Sequence, residues 1–458
     1  MFQRLLVANR GEVAVRIARA CRTLGIAPVG VASEADLGAS WTRAFEEVVC
    51  IGPASAARSY LDAERLVQAA LQTRCSALHP GWGFLAENAR FAALCAQHGL
   101  VFVGPRPGTM ELMGAKTPAK RAMRAAGLAV IPGTDWPLPN VDAALRVADE
   151  IGYPVLIKAD QGGGGRGMRV CQTESALAAG FGPASAEALA AFGDGALYLE
   201  RYLAGGRHVE VQILCDHFGH GIHVGERECS VQRKHQKLVE ESPSPALAPA
   251  QRAELGSAAL QAALAVGYTS AGTVEFLRAG DGALYFMEMN TRLQVEHPVS
   301  ELVSGLDLAA LQIRIAANER LPLGQDEVEL RGHAIEARIN AEDPEHDFRP
   351  SPGTLRAFDL PTDLGPGTVR VETHLAAGDT VSPHYDSLLA KVIAHAETRV
   401  LAIDTLLRAL AAARIEGVAT TVPLHRAVLA SEAFRAGRYD TSAIPGWPPA
   451  RAHARART

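Results

Sequence analysis

Leu5-Leu6-Val7-Ala8 is a short, wholly apolar run that reads as a buried strand, with Asn9 to Glu12 as the turn after it. Val13, Ile17, Cys21 and Leu24 then recur at helical spacing up to Gly25, a residue suited to closing a helix. Further strand-like runs lie at 26–32, 47–51 and 100–103, and helical patterns at 61–72 and 87–98. Strands alternating with helices predict a parallel sheet with helices on its faces, hence an α/β first domain over residues 1–114.

The pattern changes after Gly114. Residues 115–127 read as a helix, and strands are predicted near 155–159, 167–171 and 197–201. Runs at 208–214 and 221–226 flank a turn at Phe218 to Gly221, which implies antiparallel pairing, and 272–289 reads as a long hairpin. Residues 331–397 are strand-rich and interrupted by Pro and Gly, and a helix is predicted at 399–412. The final ten residues, PARAHARART, are basic and of low complexity, and a solvated end is expected there.

Composition narrows the class. A chain of 458 residues suggests about three domains, and 48% hydrophobic residues supply ample core. The net charge of −5 argues against a polyanion-binding protein, and no apolar run is long enough to span a membrane. Seven cysteines, none spaced C-x-x-C, speak against a zinc site or a disulfide framework. Arg10, Glu12 and Arg16 interrupt any signal-peptide core, so a cytoplasmic setting is expected.

Candidate chemistry begins at QGGGGRGM, residues 161–168. Gly162, Gly164 and Gly167 formally satisfy G-x-G-x-x-G, but a dinucleotide fingerprint requires a helix next, and Met168 to Cys171 reads as a strand. A glycine flap between strands can instead lay backbone N–H groups on phosphate oxygens. Lys158 at the end of PVLIKA and Lys116 in MGAKTPAK are candidate phosphate cations, and no G-x-x-x-x-G-K-[ST] occurs.

In the hairpin AGTVEFLRAGDGALYFMEMNTR the turn falls at Gly280-Asp281 or Asp281-Gly282. Glu275 is then diagonal to Glu288 in the first case and directly opposite it in the second. Both registers put Glu275, Glu288 and Asn290 on one face, where a divalent cation such as Mg²⁺ or Mn²⁺ would offset the repulsion. Arg292, Gln294 and Glu296 alternate beyond it and, in extended chain, share that face. An acid beside a guanidinium there suits a general base and a bound planar anion. SVQRKHQK reads by default as a charged loop, and His297 as a structural hydrogen-bonder.

Together ANRGEVAVRI, HPGWGFLAEN, KADQGGGGRGM, CSVQRKHQK, FMEMNTRLQVEHPV and ARINAEDP resemble the biotin carboxylase subunits of biotin-dependent carboxylases, of the acetyl-CoA carboxylase type, within the ATP-grasp superfamily. The resemblance implies a Rossmann-like N-terminal domain, an ATP-grasp domain at 115–330 with a mobile lid at 131–203, a strand-rich C-terminal domain at 331–448 and a tail at 449–458. It implies nucleotide contacts at Lys116, Lys158, Gly164, Gly165, Met168, Glu200, Arg201, Tyr202, Leu203, His208, Gln232 and His235, and metal ligands at Glu275, Glu288 and Asn290. Bicarbonate would lie on Lys237, Arg292, Gln294, Val295 and Glu296, and biotin near Trp82 and Arg338, with Arg292, Glu296, Lys237 and Arg338 catalytic.

The activity so implied is ATP-dependent carboxylation of biotin through carboxyphosphate, with two Mg²⁺ or Mn²⁺ ions, as the first half-reaction of acetyl-CoA carboxylase in fatty acid biosynthesis. No Met-Lys-Met occurs, so the biotin carrier protein and the carboxyltransferase are expected on separate chains, and a homodimer is implied by resemblance. Trp82 stands where Tyr is frequent, Asp160-Gln161 replace small residues before the flap, and Thr421 replaces Asn. Two other readings remain: another ATP-grasp ligase joining a carboxylate to an amine, and a catalytically silent nucleotide-binding subunit.

Overall fold

The computed structural model describes residues 1–162 and 167–448. Gly164, Gly165 and the tail at 449–458 therefore lie outside the described residues. A parallel sheet opens the chain: β1 (Arg4–Val7), β2 (Ala27–Ala32), β3 (Glu47–Cys50), β4 (Ala77–His79) and β5 (Val101–Phe102), in the order β3-β2-β1-β4-β5. Helices α1 (Gly11–Thr23), α2 (Ala63–Gln72) and α3 (Ala89–Gln97) alternate with these strands, as the apolar spacing predicted. The sequence reading missed β4, which pairs with β1 and carries the Trp82 loop on its end. Its three residues, Ala77-Leu78-His79, are too few to show a period.

Helices α4 (Pro107–Gly114) and α5 (Lys116–Ala125) follow. A separate small layer is built from α6 (Val141–Ile151), β6 (Val155–Ala159), β7 (Arg169–Cys171), α7 (Glu174–Phe192) and β8 (Leu197–Arg201), in the order β7-β6-β8, antiparallel. The flap thus joins two antiparallel strands, as the absent helix signal required. Neither α6 nor α7 was predicted.

The largest layer is an antiparallel sheet of eight strands. Six are β9 (Arg207–Cys215), β10 (Gly221–Arg233), β11 (Gln236–Ser242), β12 (Ser270–Arg278), β13 (Leu284–Asn290) and β14 (His333–Asn340). The order is β13-β12-β9-β10-β11-β14, continued by the strands Leu388–Ala396 and Thr368–Thr373. Helices α8 (Pro249–Ala265), α9 (His297–Ser304), α10 (Leu308–Ala316) and α11 (Arg399–Ala412) complete the main elements, and α11 lies where predicted. SVQRKHQK is not a loop: it spans the end of β10, a tight turn and the start of β11. Lys234 and His235 form that turn at φ of 48° and 66°.

Val13 and Ile17 of α1 share a buried cluster with Leu311 and Ile315 of α10 and Leu214 of β9. Each such side chain contributes roughly 1.5–3 kcal/mol on burial. Arg16 adds ion pairs to Glu301 (2.7 Å) and Asp307 (2.6 Å). The first sheet is thereby fixed against the large one, and the Trp82 loop faces the end of the β12–β13 hairpin across a cleft. All seven cysteines are unpaired, and among the described residues no helix is long and apolar enough to cross a membrane.

Candidate active site

A cavity of about 700 Å³ opens between the small layer, the large sheet and the Trp82 loop. Of the predicted site residues, all that are described lie along its walls.

At one end stand the lysines. β6 runs beside β8 with Leu156 opposite Glu200, which brings Lys158 diagonal to Glu200. Lys158 Nζ donates to Glu200 Oε2 at 3.2 Å, and Lys120 Nζ to Oε1 at 2.7 Å. Burial would raise the Glu200 pKa, but the two lysines hold it below the ordinary carboxylate value. Burial likewise opposes the Lys158 charge, and Glu200 reverses that effect. Two ammonium groups on one carboxylate leave a net positive end wall. Glu200, expected to touch nucleotide, lines the cavity, and its buried carboxylate accepts from Lys120 and Lys158. Lys120 was not foreseen.

Lys116 Nζ donates to the Gly162 carbonyl at the foot of the flap. The Lys116 N–H donates to Asp160 O (2.9 Å), and the Thr117 N–H to Asp160 Oδ1 (2.8 Å). Asp160, read from sequence as a departure, therefore anchors the flap to the N-terminus of α5, where free N–H groups need an acceptor.

The acidic hairpin carries the middle of the cavity. Its turn is neither of the two-residue turns predicted: Ala279 N–H donates to Ala283 O, enclosing three residues. A bulge between Glu275 and Phe276 then shifts the register, and Glu275 ends directly opposite Glu288. Glu275 Oε1 accepts from Asn290 Nδ2 (2.8 Å), Lys237 Nζ (3.0 Å) and Gln294 Nε2 (3.3 Å), and Oε2 lies 3.1 Å from His208 Nε2. Burial opposes ionisation of Glu275, and Lys237 and His208 override it, holding its pKa well down. His208 is moved the other way: burial disfavours its charge, but Glu275 raises its pKa overall. Cross-strand repulsion is thus already answered by protein cations, so it does not by itself require a metal. Glu288 is half-buried on the cavity wall with no side-chain partner among the described residues. With Glu275 and the Asn290 amide oxygen it offers hard oxygen donors, which fit Mg²⁺ or Mn²⁺.

The anion end departs from the extended chain predicted for 291–296. β13 stops at Asn290, the segment turns, and Glu296 immediately precedes α9 with φ −80° and ψ 8°. Arg292, Gln294 and Glu296 still converge on the cavity. Arg292 Nε donates to Glu87 Oε2 (2.9 Å), Nη1 to Gln294 Oε1 (3.0 Å) and Nη2 to Asn290 Oδ1 (3.1 Å). Lys237 Nζ donates to Glu210 Oε2 (2.5 Å) and Glu296 Oε1 (2.5 Å) as well as to Glu275. Arg338 Nη2 donates to Glu296 Oε2 at 2.9 Å. Burial would raise the Glu296 pKa, but Lys237, Arg338 and Arg227 drive it well below the carboxylate range, so it is a full anion. The Val295 carbonyl accepts from the buried Lys391 (2.9 Å), which leaves its N–H as the donor there. His297 is buried with Nδ1 2.7 Å from Gln294 O, the structural role expected.

Trp82 sits at the other lip. Asn9 Nδ2 donates to Pro80 O (2.7 Å) and Trp82 O (2.8 Å), and the Gly81 N–H donates to His79 Nδ1 (3.0 Å). The sequence reading missed Glu87, Asn9, His79 and Glu210. Asn9 carried a signal in its place in ANRGEVAVRI, and His79 and Glu87 in theirs in HPGWGFLAEN; Glu210 carried none.

Three family models match in succession: the biotin carboxylase N-terminal domain at residues 1–110, the carbamoyl-phosphate synthase L chain ATP-binding domain at 115–323, and the biotin carboxylase C-terminal domain at 336–445. The biotin carboxylase of Nostoc sp. is 48% identical, covering 97% of this chain and 98% of its own. The chain belongs to the biotin carboxylase family. Members of this family are ATP-dependent ligases of ATP-grasp fold. A pyruvate carboxylase component from Methanothermobacter thermautotrophicus is 47% identical over 96% of this chain and 89% of its own. The biotin carboxylase domain dimer of Hydrogenobacter thermophilus 2-oxoglutarate carboxylase, solved with MgADP, ADP and bicarbonate, superposes with a TM-score of 0.93 at 47% identity, covering 96% of each chain.

Proposed function

We propose that this chain carboxylates biotin with ATP and bicarbonate. The observation that carries this is the meeting, in one cavity, of a doubly lysine-flanked phosphate wall with an ionised Glu296 held by Lys237 and Arg338 beside Arg292. Lys116 and Lys158 take the phosphates under the flap, with Met168, Arg201, Tyr202, Leu203, Gln232 and His235 around the nucleoside. Lys237, Arg292, Gln294 and the Val295 N–H hold bicarbonate. Glu275, Glu288 and Asn290 would hold divalent metal, which supplies neutralisation of phosphate charge.

Lysine has three N–H donors, and Lys237 spends all three on Glu210, Glu275 and Glu296. An incoming bicarbonate must therefore displace one carboxylate. If Glu296 is displaced, it loses its strongest cation and its proton affinity rises, which is what a general base needs. It then takes the bicarbonate proton, and the bicarbonate oxygen attacks the γ-phosphorus, forming carboxyphosphate and releasing ADP. Carboxyphosphate divides into CO₂ and phosphate, phosphate takes the ureido N–H proton, and Arg338 steadies the negative ureido oxygen while nitrogen attacks CO₂. Exclusion of water by the flap protects carboxyphosphate.

Biotin would arrive on a separate carrier protein and leave for a separate carboxyltransferase. The relatives named above include pyruvate and 2-oxoglutarate carboxylase components, so the acetyl-CoA expectation gains no support and the proposal stops at carboxybiotin. The three-part division at 114 and 330, the cytoplasmic setting and a homodimer belong to the same proposal; the Hydrogenobacter domain is itself a dimer.

Free biotin should stimulate bicarbonate-dependent ADP release, and Arg292→Ala should abolish most of that while ATP still binds. Full activity in the variant refutes the assignment. ADP release indifferent to biotin but dependent on an amine favours the carboxylate–amine ligase reading.

A further inference from the structure

Beneath Arg338 lies a group of acids that the reaction above does not use. Glu240 on β11 is directly opposite Glu336 on β14, so the two side chains share a face. Arg338 is two residues beyond Glu336 on the same strand and face. Both glutamates have no solvent exposure. Glu240 Oε1 lies 2.5 Å from Arg338 Nη2, the same nitrogen that donates to Glu296. None of the four carboxylate oxygens of Glu336 and Glu240 has a hydrogen-bond partner among the described residues, and Glu240 Oε1 meets Arg338 as an ion pair by distance alone.

We propose that Glu240 is a positioning residue for Arg338, and that a proton held on Glu336 lets Glu240 act as a carboxylate. The inference rests on the reading that Arg338 faces the biotin ureido group. Two buried carboxylates placed side by side cannot both ionise at modest cost, so one of them keeps its proton. Glu240 has the guanidinium at ion-pair distance, and Glu336 has no such partner. The proton therefore resides on Glu336. Glu240 and Glu296 then draw the guanidinium from two sides and fix it at the cavity wall. With Glu240 neutral, the guanidinium is drawn onto Glu296 alone and leaves the place where a ureido oxygen would meet it.

The groups facing Glu240 are Arg338 and Glu336 on β14, Glu296 before α9, Cys229 on β10 and Lys237 on its own strand. Lys391 on the strand Leu388–Ala396 faces Glu336. Burial pushes Glu336 well above the carboxylate range. It pushes Glu240 up to about 7, with Arg338 pulling the other way. Glu240 is thus ionised above neutrality and protonated below it, and positioning of Arg338 weakens as the pH falls through 7.

Two measurements test this on the full chain. The first is kcat/KM for free biotin against pH. The wild type should show an acidic limb near pH 7. Glu240→Gln should lose that limb and lower kcat/KM for biotin about tenfold, with KM for ATP unchanged; a merely structural role would move both constants. The second is infrared spectroscopy at pH 8, where the wild type should show the carbonyl band of a protonated, buried carboxyl group that Glu336→Gln lacks. A Glu240→Gln variant with the wild-type limb and wild-type kcat/KM overturns the proposal. So does the absence of the protonated band, which decides the matter even if Glu240→Gln does not fold. Arg338→Ala with full biotin-dependent activity would instead refute the role of Arg338, and the infrared band would be untouched by that result.

Discussion

Replacing Lys237 with methionine keeps the length of the side chain and removes the charge that joins Glu210, Glu275 and Glu296. Removing one partner of a buried ion pair costs about 3–5 kcal/mol. Here Glu210 and Glu296 each keep another cation, Arg227 at 2.5 Å and Arg338 at 2.9 Å, and Glu275 keeps the imidazole of His208 at 3.1 Å. The loss should therefore fall at the low end, about 3 kcal/mol at pH 8. The unfolding entropy of a chain of 458 residues is about 1 kcal/mol/K, so each kcal/mol shifts the melting temperature by about 1 °C and the drop should be roughly 3 °C. The sign of the pH dependence follows from Glu296, whose pKa is depressed in the folded protein. Its stabilisation is complete above the ordinary carboxylate value and fades as the pH drops below it. The gap between variant and wild type should accordingly be full at pH 8 and narrow below about pH 4.5, where protons replace the ammonium. Thermal melts at a series of pH values measure this. Identical melting at pH 8, or a gap that stays constant into acid, refutes the reasoning that Lys237 neutralises this cluster.

Glu241 is held down to about 2 from 4.5, against the push of burial, by His333 and Arg399. Glu241→Gln should thus cost on the order of 3 kcal/mol at pH 7, and urea melts should show that deficit disappearing between pH 4.5 and 2. Glu87 accepts from the Thr291 N–H (2.9 Å) and from Arg292, so Glu87→Gln should free the guanidinium and raise KM for bicarbonate about tenfold, with KM for ATP steady. Gly81 has φ +67°, and a methyl group there would meet Asn9 Nδ2 at 2.8 Å. Gly81→Ala should cost roughly 1–2 kcal/mol and, by loosening the Trp82 loop, raise KM for biotin several-fold.

What could be read from the sequence was whatever repeats locally. The alternation in AGTVEFL and ALYFMEMN placed Glu275, Glu288 and Asn290 on one face, although the turn was misread and a bulge corrected the register. Helix α7, ESALAAGFGPASAEALAAF, escaped notice because alanine and glycine blur its apolar face and Pro183 lies inside it. The reading of 291–296 as extended failed at Glu296. Pro298 in the first turn of α9 was the available sign of a helix start there. Glu210 and Glu240 could not have been singled out among fifty acidic residues, since each matters only through a neighbour on another strand or segment.

The ladder from Val239 to Ser242 of β11 binds Ala334 to Ala337 of β14 strand to strand. That seam falls between the second and third family-model matches, and it places Arg338 from one side within reach of Glu240 from the other. A chimera that takes residues 331–448 from a relative would have to graft half of a hydrogen-bonded sheet onto a foreign edge, and its guanidinium would depend on borrowed carboxylates. The seam also rules out a free hinge at that point. The layer β7-β6-β8, whose strands share no ladder with the large sheet, is the part that can be exchanged or tilted as a unit without cutting it.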